Sequence, residues 1–238
     1  MNKDVLGQAL WAYHQSPEEQ EIITWTHLTE EDPMPVAYFF RNYDEMPPIE
    51  QKALQRAYGK VLDIGCGAGS HSLYLQNSLG LDVTAMDISP AAVATTKARG
   101  VRKTYCGDIF ESQGEYDTLL LLMNGIGMCE NRHGLPELLE ELKQRLAPGG
   151  QILLDSSDLI YLFEDQPTPQ VTQGSYYGEV DFGVRFLGEE QLFPWLYVDF
   201  ETLKSVAMSL GYQCDCLAEG DHYDYLARLT LKPHLLQR

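Results

Sequence analysis

Positively charged residues are scarce in this chain. Its 238 residues include 17 lysines and arginines against 35 aspartates and glutamates, which gives a formal net charge of −18 at pH 7. Such a surface repels the phosphate backbone of nucleic acids and the anionic headgroups of membranes. We therefore expect no nucleic acid and no membrane partner. A chain of this length can fold as one domain with insertions and bury about 70% of its unfolded surface without disulfides.

Long apolar runs and paired cysteines are also missing. Residues 1–20 lack the continuous apolar core of a signal peptide, and no run approaches the length of a membrane span, so we expect a cytoplasmic protein. The five cysteines are odd in number, and Cys214 and Cys216 have no second pair of ligands that would complete a zinc site. Reduced, buried thiols are the better interpretation, which is typical of cytosolic proteins.

Glycine, in contrast, is concentrated in one stretch. Residues 58–71 read YGKVLDIGCGAGSH, in which a short buried strand is followed by Gly65, Gly67 and Gly69 and then by a helix. Glycines between a strand and a helix let backbone N–H groups approach a ligand, and the helix dipole there favours negative charge. The stretch therefore predicts a site for a nucleotide-type cofactor.

The spacing of these glycines distinguishes between cofactors. The dinucleotide fingerprint G-x-G-x-x-G requires a third glycine at the position where Ser70 stands. Asp63, two positions before the first glycine, suits a ligand that carries an ammonium group. The pattern D-x-G-x-G-x-G resembles motif I of the class I S-adenosylmethionine-dependent methyltransferases.

Polar residues at the ends of later strands agree with this resemblance. Predicted strands at 81–87, 101–108 and 116–124 end in Asp87, Asp108 and Asn124. Asp87 lies about 20 residues beyond the glycines, where a carboxylate binds ribose hydroxyls. The alternation of buried strands with helices predicts an α/β fold with a doubly wound, mostly parallel seven-stranded sheet. The resemblance implies that a C-terminal antiparallel hairpin, at 212–231, completes this Rossmann-like sheet.

Two segments lie outside this alternation. Residues 1–47 are predicted to hold N-terminal helices, one at 4–14 and one after a capping box at 16–19. The proline-rich and aromatic segment 29–47 that follows is either a lid over the cofactor or a layer that packs the helices onto the sheet. Residues 48–238 form the predicted methyltransferase domain, with an insertion at about 158–198 that contains a loop at 166–174 and two extended pieces.

The resemblance implies a role for each matching position. Asp63 lies beneath the amino group of the methionine moiety, Asp87 binds both ribose hydroxyls, and Asp108 accepts from the adenine amino group. His71 either touches the carboxylate of the cofactor or packs its helix. The implied cofactor-binding residues are Asp63, Gly65, Cys66, Gly67, Gly69, His71, Asp87, Ile88, Asp108, Ile109, Met123 and Asn124.

The sequence gives fewer signals for the residues that would bind the methyl acceptor. Asn124 is followed by Gly125, whereas family members that methylate amide nitrogens carry Pro-Pro-aromatic there, so that chemistry is not expected. Asn124 also replaces one acid of the metal-dependent members, so we expect no metal. The candidates for a catalytic role are Asn124, His133 and Asp155, with Asp158 and His14 as further possible bases.

We therefore expect an enzyme that transfers a methyl group from S-adenosylmethionine to a small-molecule acceptor by in-line displacement. A non-catalytic protein that binds S-adenosylmethionine or S-adenosylhomocysteine is one alternative. An NAD-dependent oxidoreductase is the other, and the missing third glycine argues against it. Acids dominate residues 18–50 and 164–224. If they do more than keep the protein in solution, they favour a neutral or amine-bearing acceptor over an anionic one.

Overall fold

The fold is taken from a computed structural model that describes residues 3–163 and 176–231. The helices of this part of the chain are α1 (Val5–Gln15), α2 (Pro48–Arg56), α3 (Ser70–Asn77), α4 (Pro90–Ala98), α5 (Gly134–Gln144) and α6 (Phe200–Ser209). Its strands are β1 (Glu21–Thr26), β2 (Thr29–Pro35), β3 (Lys60–Ile64), β4 (Asp82–Asp87), β5 (Lys103–Cys106), β6 (Tyr116–Leu121), β7 (Leu146–Ser157), β8 (Glu179–Phe186), β9 (Glu189–Leu196), β10 (Tyr212–Glu219) and β11 (Asp224–Leu231). The loop predicted at 166–174 lies outside the described residues.

Seven strands form the larger sheet, in the order β10-β11-β7-β6-β3-β4-β5. Strand β4 is parallel to β3 and β5, and β6 is parallel to β7, whereas β11 is antiparallel to β7 and β10. The predicted mostly parallel sheet with a C-terminal antiparallel hairpin is therefore confirmed. Among the described helices, none is long and apolar enough to cross a membrane.

The chain divides into two compact units. Unit 1 consists of Met1–Met46, Gly59–Ser112 and Asp181–Phe193, and unit 2 consists of Pro47–Tyr58, Gln113–Val180 and Pro194–Arg238. Each unit is thus assembled from stretches that are separated in the sequence. The glycine-rich stretch belongs to unit 1, and the strand ends near Asn124 and Asp155 belong to unit 2.

In unit 1, helix α1 packs close to the glycine-rich stretch. The carboxylate of Asp4, just before this helix, accepts hydrogen bonds from Ser89 Oγ at 2.8 Å and from the backbone N–H of Ala91 at 3.2 Å. These bonds tie the beginning of α1 to the beginning of α4. The buried cluster on its apolar face contains Val5, Ala9, Leu10, Ile22, Val36, Ala68, Ala92, Val184 and Phe186.

A second sheet overturns the helix predicted after residues 16–19. Helix α1 ends at Ser16, whose N–H still donates to the carbonyl of Ala12 but whose backbone is extended, with φ −145° and ψ 92°, and residues 21–26 are strand β1. The second sheet has the order β2-β1-β8-β9. The physical reason is that EIITWT is rich in β-branched residues and has two strands to pair with, of which β8 lies far away in the sequence. A capping signal is local and does not reveal such a partner.

Candidate active site

The loop between β3 and α3 has a left-handed backbone at alternate positions. The φ angle is 75° at Gly65, 53° at Gly67 and 81° at Gly69, values that residues with a side chain rarely adopt. A Cβ at Gly69 would lie 2.8 Å from Thr96 Cγ2, whereas the nearest atom to a Cβ at Gly67 would be Leu10 Cδ1 at 4.0 Å. Gly69 is thus required by packing, and Gly67 leaves open space beside the loop.

Hydrogen bonds from neighbouring elements fix the shape of this loop. The N–H groups of Gly65 and Cys66 both donate to the carbonyl of Met86 at 2.9 Å. The hydroxyl of Thr96 donates to the carbonyl of Gly67 at 2.8 Å. Because its backbone is held from two sides, the loop has few conformations to lose when a ligand binds, which reduces the entropic cost of binding.

Asp63 is fixed beneath the loop. Its side chain is 2% exposed, and its carboxylate accepts a hydrogen bond from Ser72 Oγ at 2.6 Å. Burial raises the pKa of Asp63, while the charge of His71 and the bonds from Ser72 lower it, and burial prevails. His71 is itself buried. The roles of Asp63 and His71 toward the methionine moiety stay predictions.

Asp87 ends β4 and braces the loop. Its Oδ2 accepts from the N–H of Gly67 and its Oδ1 from the N–H of Ser89, both at 2.9 Å. Burial raises the pKa of Asp87, and the bonds from Ser89 and Gly67 oppose that effect. Each carboxylate oxygen can accept a further hydrogen bond, so Asp87 is chemically able to bind a ribose hydroxyl with each. The side chain of Ile88 is 72% exposed.

Strand β5 ends at Cys106, two residues before Asp108, where the predicted strand ends. The carboxylate of Asp108 accepts from the N–H of Phe110 at 3.1 Å and begins a short 3-10 helix at Ile109–Glu111. Ile109 is buried, whereas Phe110 is exposed. The adenine-binding roles of Asp108 and Ile109 stay predictions, and Phe110 becomes a further candidate for the adenine ring. The family resemblance pointed to Ile109, directly after Asp108, and therefore gave no signal for Phe110, one position further along.

These residues of unit 1 fit an adenosyl cofactor. The open space beside Gly67 would be filled by any side chain larger than hydrogen at that position. The carboxylate of Asp87 is the kind of acceptor that a ribose diol needs, and the exposed side chains of Ile88 and Phe110 can cover an aromatic ring.

In unit 2, the backbone after β6 is strained. Met123 and Asn124 have φ angles of 57° and 58°, in the left-handed region that costs about 1–3 kcal/mol for a residue with a side chain. The carboxylate of Asp155 accepts from the N–H of Met123 at 3.2 Å and from the N–H of Asn124 at 2.7 Å. The structure therefore brings together two of the three candidates for a catalytic role, Asn124 and Asp155.

The third candidate, His133, is exposed at the beginning of α5. The side chain of Asn124 is held by the scaffold, since its Oδ1 accepts from Ser156 Oγ at 2.6 Å and its Nδ2 donates to the carbonyl of Leu196 at 3.2 Å. A positioning role explains these contacts of Asn124. Catalytic roles for Asn124, His133 and Asp155 stay predictions.

All five cysteines are free thiols, and Cys66, Cys129 and Cys214 are buried as expected, whereas Cys106 and Cys216 are exposed, which corrects the expectation for those two. No group of three or more His, Cys, Asp or Glu side chains in residues 3–163 and 176–231 is placed to hold a metal ion. Burial, with Asp87 and Asp63 nearby, raises the pKa of the Cys66 thiol well above its usual value. Cys66 is therefore a neutral, packed thiol at neutral pH and not a nucleophile.

Sequence reasoning also missed Arg99, which supports the glycine loop from α4. Its guanidinium donates to the carbonyl of Ala68 at 2.6 Å and to Ser70 Oγ at 3.0 Å. No motif marks this arginine. Its only sequence signal is its place at the end of the helix that follows β4, beside the loop in a parallel α/β fold.

Comparisons with known proteins agree with this geometry. A family model described as a methyltransferase domain matches residues 61–150. The crystal structure of an S-adenosylmethionine-dependent methyltransferase from Bacteroides fragilis, in complex with S-adenosyl-L-homocysteine, is 40% identical, with 96% of this chain and 95% of that chain covered and a TM-score of 0.88.

Two more distant relatives are also similar to this chain. Hemagglutinin 1 from Eikenella corrodens is 27% identical over 182 residues, which cover 73% of this chain and 55% of that protein, so this chain spans about half of its length. A sugar N-methyltransferase from Streptoalloteichus shares the fold, with 15% identity, 82% of this chain and 88% of that chain covered, and a TM-score of 0.57.

The site combines the glycine loop with the carboxylate at the end of β4, and the sheet has seven strands with an antiparallel hairpin. In addition, the chain matches a solved methyltransferase over nearly its whole length. This chain belongs to the class I S-adenosylmethionine-dependent methyltransferases and is an enzyme that uses S-adenosylmethionine as its cofactor.

Proposed function

We propose that this methyltransferase acts on a small-molecule acceptor by in-line displacement, with the cofactor held by the glycine loop, Asp87 and the neighbouring strand ends of unit 1. The observation that carries the proposal is the double role of Asp87, which ends β4 and accepts from the loop itself through Gly67. A carboxylate in this place connects the loop, and the methionine moiety it is expected to hold, with the ribose hydroxyls.

Each of the proposed cofactor-binding residues then has a physical task. Bound S-adenosylmethionine supplies a methyl group that its sulfonium has already activated, so the protein mainly aligns and desolvates the reactants. Such alignment is worth roughly 7–11 kcal/mol. Asp87 orients the ribose, Ile88 and Phe110 cover the adenine, and the buried carboxylate of Asp63 offers negative charge to the methionine amino group.

Residues 29–47 are proposed to exclude water from the bound cofactor. Two contacts already connect this segment with α3, directly after the glycine loop: Ser70 Oγ donates to the carbonyl of Phe39 at 2.8 Å, and the rings of Tyr43 and Tyr74 stack with centroids 4.1 Å apart. A cover of this kind strengthens the electrostatic contacts beneath it and keeps solvent from competing with the acceptor.

A small molecule is the acceptor class that the charge favours. The net charge of −18 opposes binding of nucleic acid and of phosphorylated compounds. Neutral or amine-bearing compounds meet no such barrier. The five cysteines, which form no disulfide with one another, support a cytoplasmic location.

Calorimetric titration tests the cofactor assignment. Asp87→Ala removes two hydrogen bonds to a charged group, worth about 1.5–3 kcal/mol each, so the affinity for S-adenosylhomocysteine should fall by roughly 10²- to 10⁴-fold. Asp82→Ala, at the other end of β4 in an exposed ion pair with Lys103, is the matched control and should bind normally. A folded Asp87→Ala variant that binds within threefold of wild type would show that the ribose assignment is wrong.

A second experiment separates the alternatives. The wild-type protein should bind S-adenosylmethionine and S-adenosylhomocysteine but not NAD, whereas NAD binding would favour an oxidoreductase. Incubation with a metabolite extract and isotopically labelled S-adenosylmethionine should produce a labelled methylated metabolite that mass spectrometry detects. Binding of both cofactor forms without any labelled product would favour a non-catalytic binding protein.

A further inference from the structure

Tyrosine side chains gather near the carboxyl end of β7 in unit 2. Tyr161 lies on a short 3-10 helix at Leu159–Phe163 just after this strand, Tyr223 directly precedes β11, and Tyr197 directly follows β9. Strand β11 is paired with β7, with Leu226 opposite Asp155. In open α/β sheets, ligands bind beyond the carboxyl ends of the strands.

Two of these rings form an exposed aromatic surface. Tyr161 and Tyr223 stack with their centroids 5.5 Å apart and an interplanar angle of 24°. Their exposed fractions are 40% and 49%. The carbonyl of Tyr223 accepts from the N–H of Asp158 at 2.9 Å, which fixes the backbone that carries the ring. The two stacked rings therefore present aromatic surface and two phenol groups to solvent, where a ligand can contact them.

A third tyrosine connects these rings with Asp155. Burial raises the pKa of Tyr197 to about 12, and Tyr161 and Asp155 add to the effect because both lie close enough to repel a phenolate. Tyr197 is therefore a neutral phenol, and Asp155 contributes a negative charge beside it. The stacked pair of Tyr161 and Tyr223 and the pairing of β7 with β11 place these two rings and the Asp155 carboxylate at the same end of the sheet.

The surrounding segments are acidic. Residues 155–163, 194–200 and 221–225 contain five acids, Asp155, Asp158, Asp199, Asp221 and Asp224, and no lysine or arginine. Tyr177 donates to Asp158 at 2.6 Å. Burial raises the pKa of Asp199, but bonds from Thr202 and Tyr176 outweigh it, so the net pKa is below the usual value. This charge pattern attracts cations and repels anions.

We propose that Tyr161, Tyr197 and Tyr223, together with Asp155, form the acceptor-recognition site of this methyltransferase and that the acceptor carries a cationic ammonium group. The faces of aromatic rings attract cations electrostatically, and aromatic cages recognise quaternary and methylated ammonium groups. The carboxylate supplies the charge complement. This inference rests on the proposed small-molecule function and adds a recognition element for the acceptor.

The test uses a charged probe and its uncharged counterpart. Protein saturated with S-adenosylhomocysteine is titrated with choline and with its neutral carbon isostere, dimethylbutanol, by ligand-observed NMR. Choline should bind at least about tenfold more tightly than the isostere. In the double variant Tyr161→Leu and Tyr223→Leu the affinity for choline should fall about tenfold, whereas Phe at both positions should preserve it. Tyr58→Leu removes a similarly exposed ring, at 44%, from the region before β3 and should change nothing.

The outcomes separate this inference from the proposed function. Equal binding of the isostere, no binding of choline, or an unchanged affinity in the double leucine variant would each overturn the ammonium site. Methyl transfer confined to neutral acceptors, with S-adenosylhomocysteine still bound, would also overturn it but leave the proposed function intact. Failure of the wild-type protein to bind S-adenosylhomocysteine would instead contradict the proposed cofactor site.

Discussion

Two backbone N–H groups in the turn after β6 donate to one carboxylate, which makes Asp155→Asn an informative substitution. Met123 and Asn124 are held in a left-handed conformation, and Asp155 accepts a hydrogen bond from each of their N–H groups. Asparagine has nearly the same shape, but one of its two terminal atoms is an NH₂ donor. One backbone N–H would then face another donor.

The expected loss follows from these two bonds. A hydrogen bond to a charged group contributes about 1.5–3 kcal/mol and a neutral one about 0.5–1.5 kcal/mol, so the retained bond weakens by about 1 kcal/mol. The orphaned N–H costs about 1–3 kcal/mol more. The free energy of unfolding should therefore fall by about 2–4 kcal/mol, which lowers Tm by roughly 5–15 °C for a protein of this size.

Differential scanning calorimetry, supported by urea unfolding, measures the change. Asp221→Asn is the control, because Asp221 is exposed in the turn before β11, and it should alter the free energy of unfolding by less than about 0.5 kcal/mol. If the Tm of Asp155→Asn stays within about 2 °C of wild type, the two bonds do not hold the turn, and the strain at Met123 and Asn124 has another support.

Two further predictions concern unit 1. Gly69→Ala should lower the free energy of unfolding by about 2–5 kcal/mol, because the new Cβ meets Thr96. The control Gly80→Ala should lower it by only about 1–2 kcal/mol, since Gly80 has a similar φ of 69° but a Cβ there would have no atom within 4 Å. Equal losses in the two variants would contradict the role of packing at Gly69. Amide hydrogen exchange across residues 29–47 should slow when S-adenosylhomocysteine binds, and exchange in α5 serves as the internal reference. Unchanged exchange in residues 29–47 would contradict the proposal that they form a lid.

The parallel core could be predicted because its signals are local. Residues 61–64 form a short apolar run before Gly65, and the end of β4 falls at Asp87 as expected, since buried strands between helices leave continuous apolar runs in the sequence. Two extended stretches around a turn at Gly220 and Asp221 also indicated the C-terminal hairpin, whereas its place in the sheet was implied by the family resemblance.

The parts that could not be predicted depend on partners far away in the sequence. Residues 21–26 carry a helix signal just before them but pair with β8. Arg99 supports the glycine loop, and Phe110 becomes a candidate for the adenine ring, only through their places in space, which no motif encodes. The tyrosines at 161, 197 and 223 come from three separate connections, so only the fold brings them together.

The pairing of β1 with β8 has a consequence for chimaeric enzymes. Trp25 lies opposite Gly183 across the two strands, and a Cβ at residue 183 would collide with the indole ring. If β8 alone were transplanted from a relative, it would bring a foreign strand against Trp25. A chimaera that exchanges β8 therefore has to exchange β1 with it, although the two strands lie far apart in the sequence.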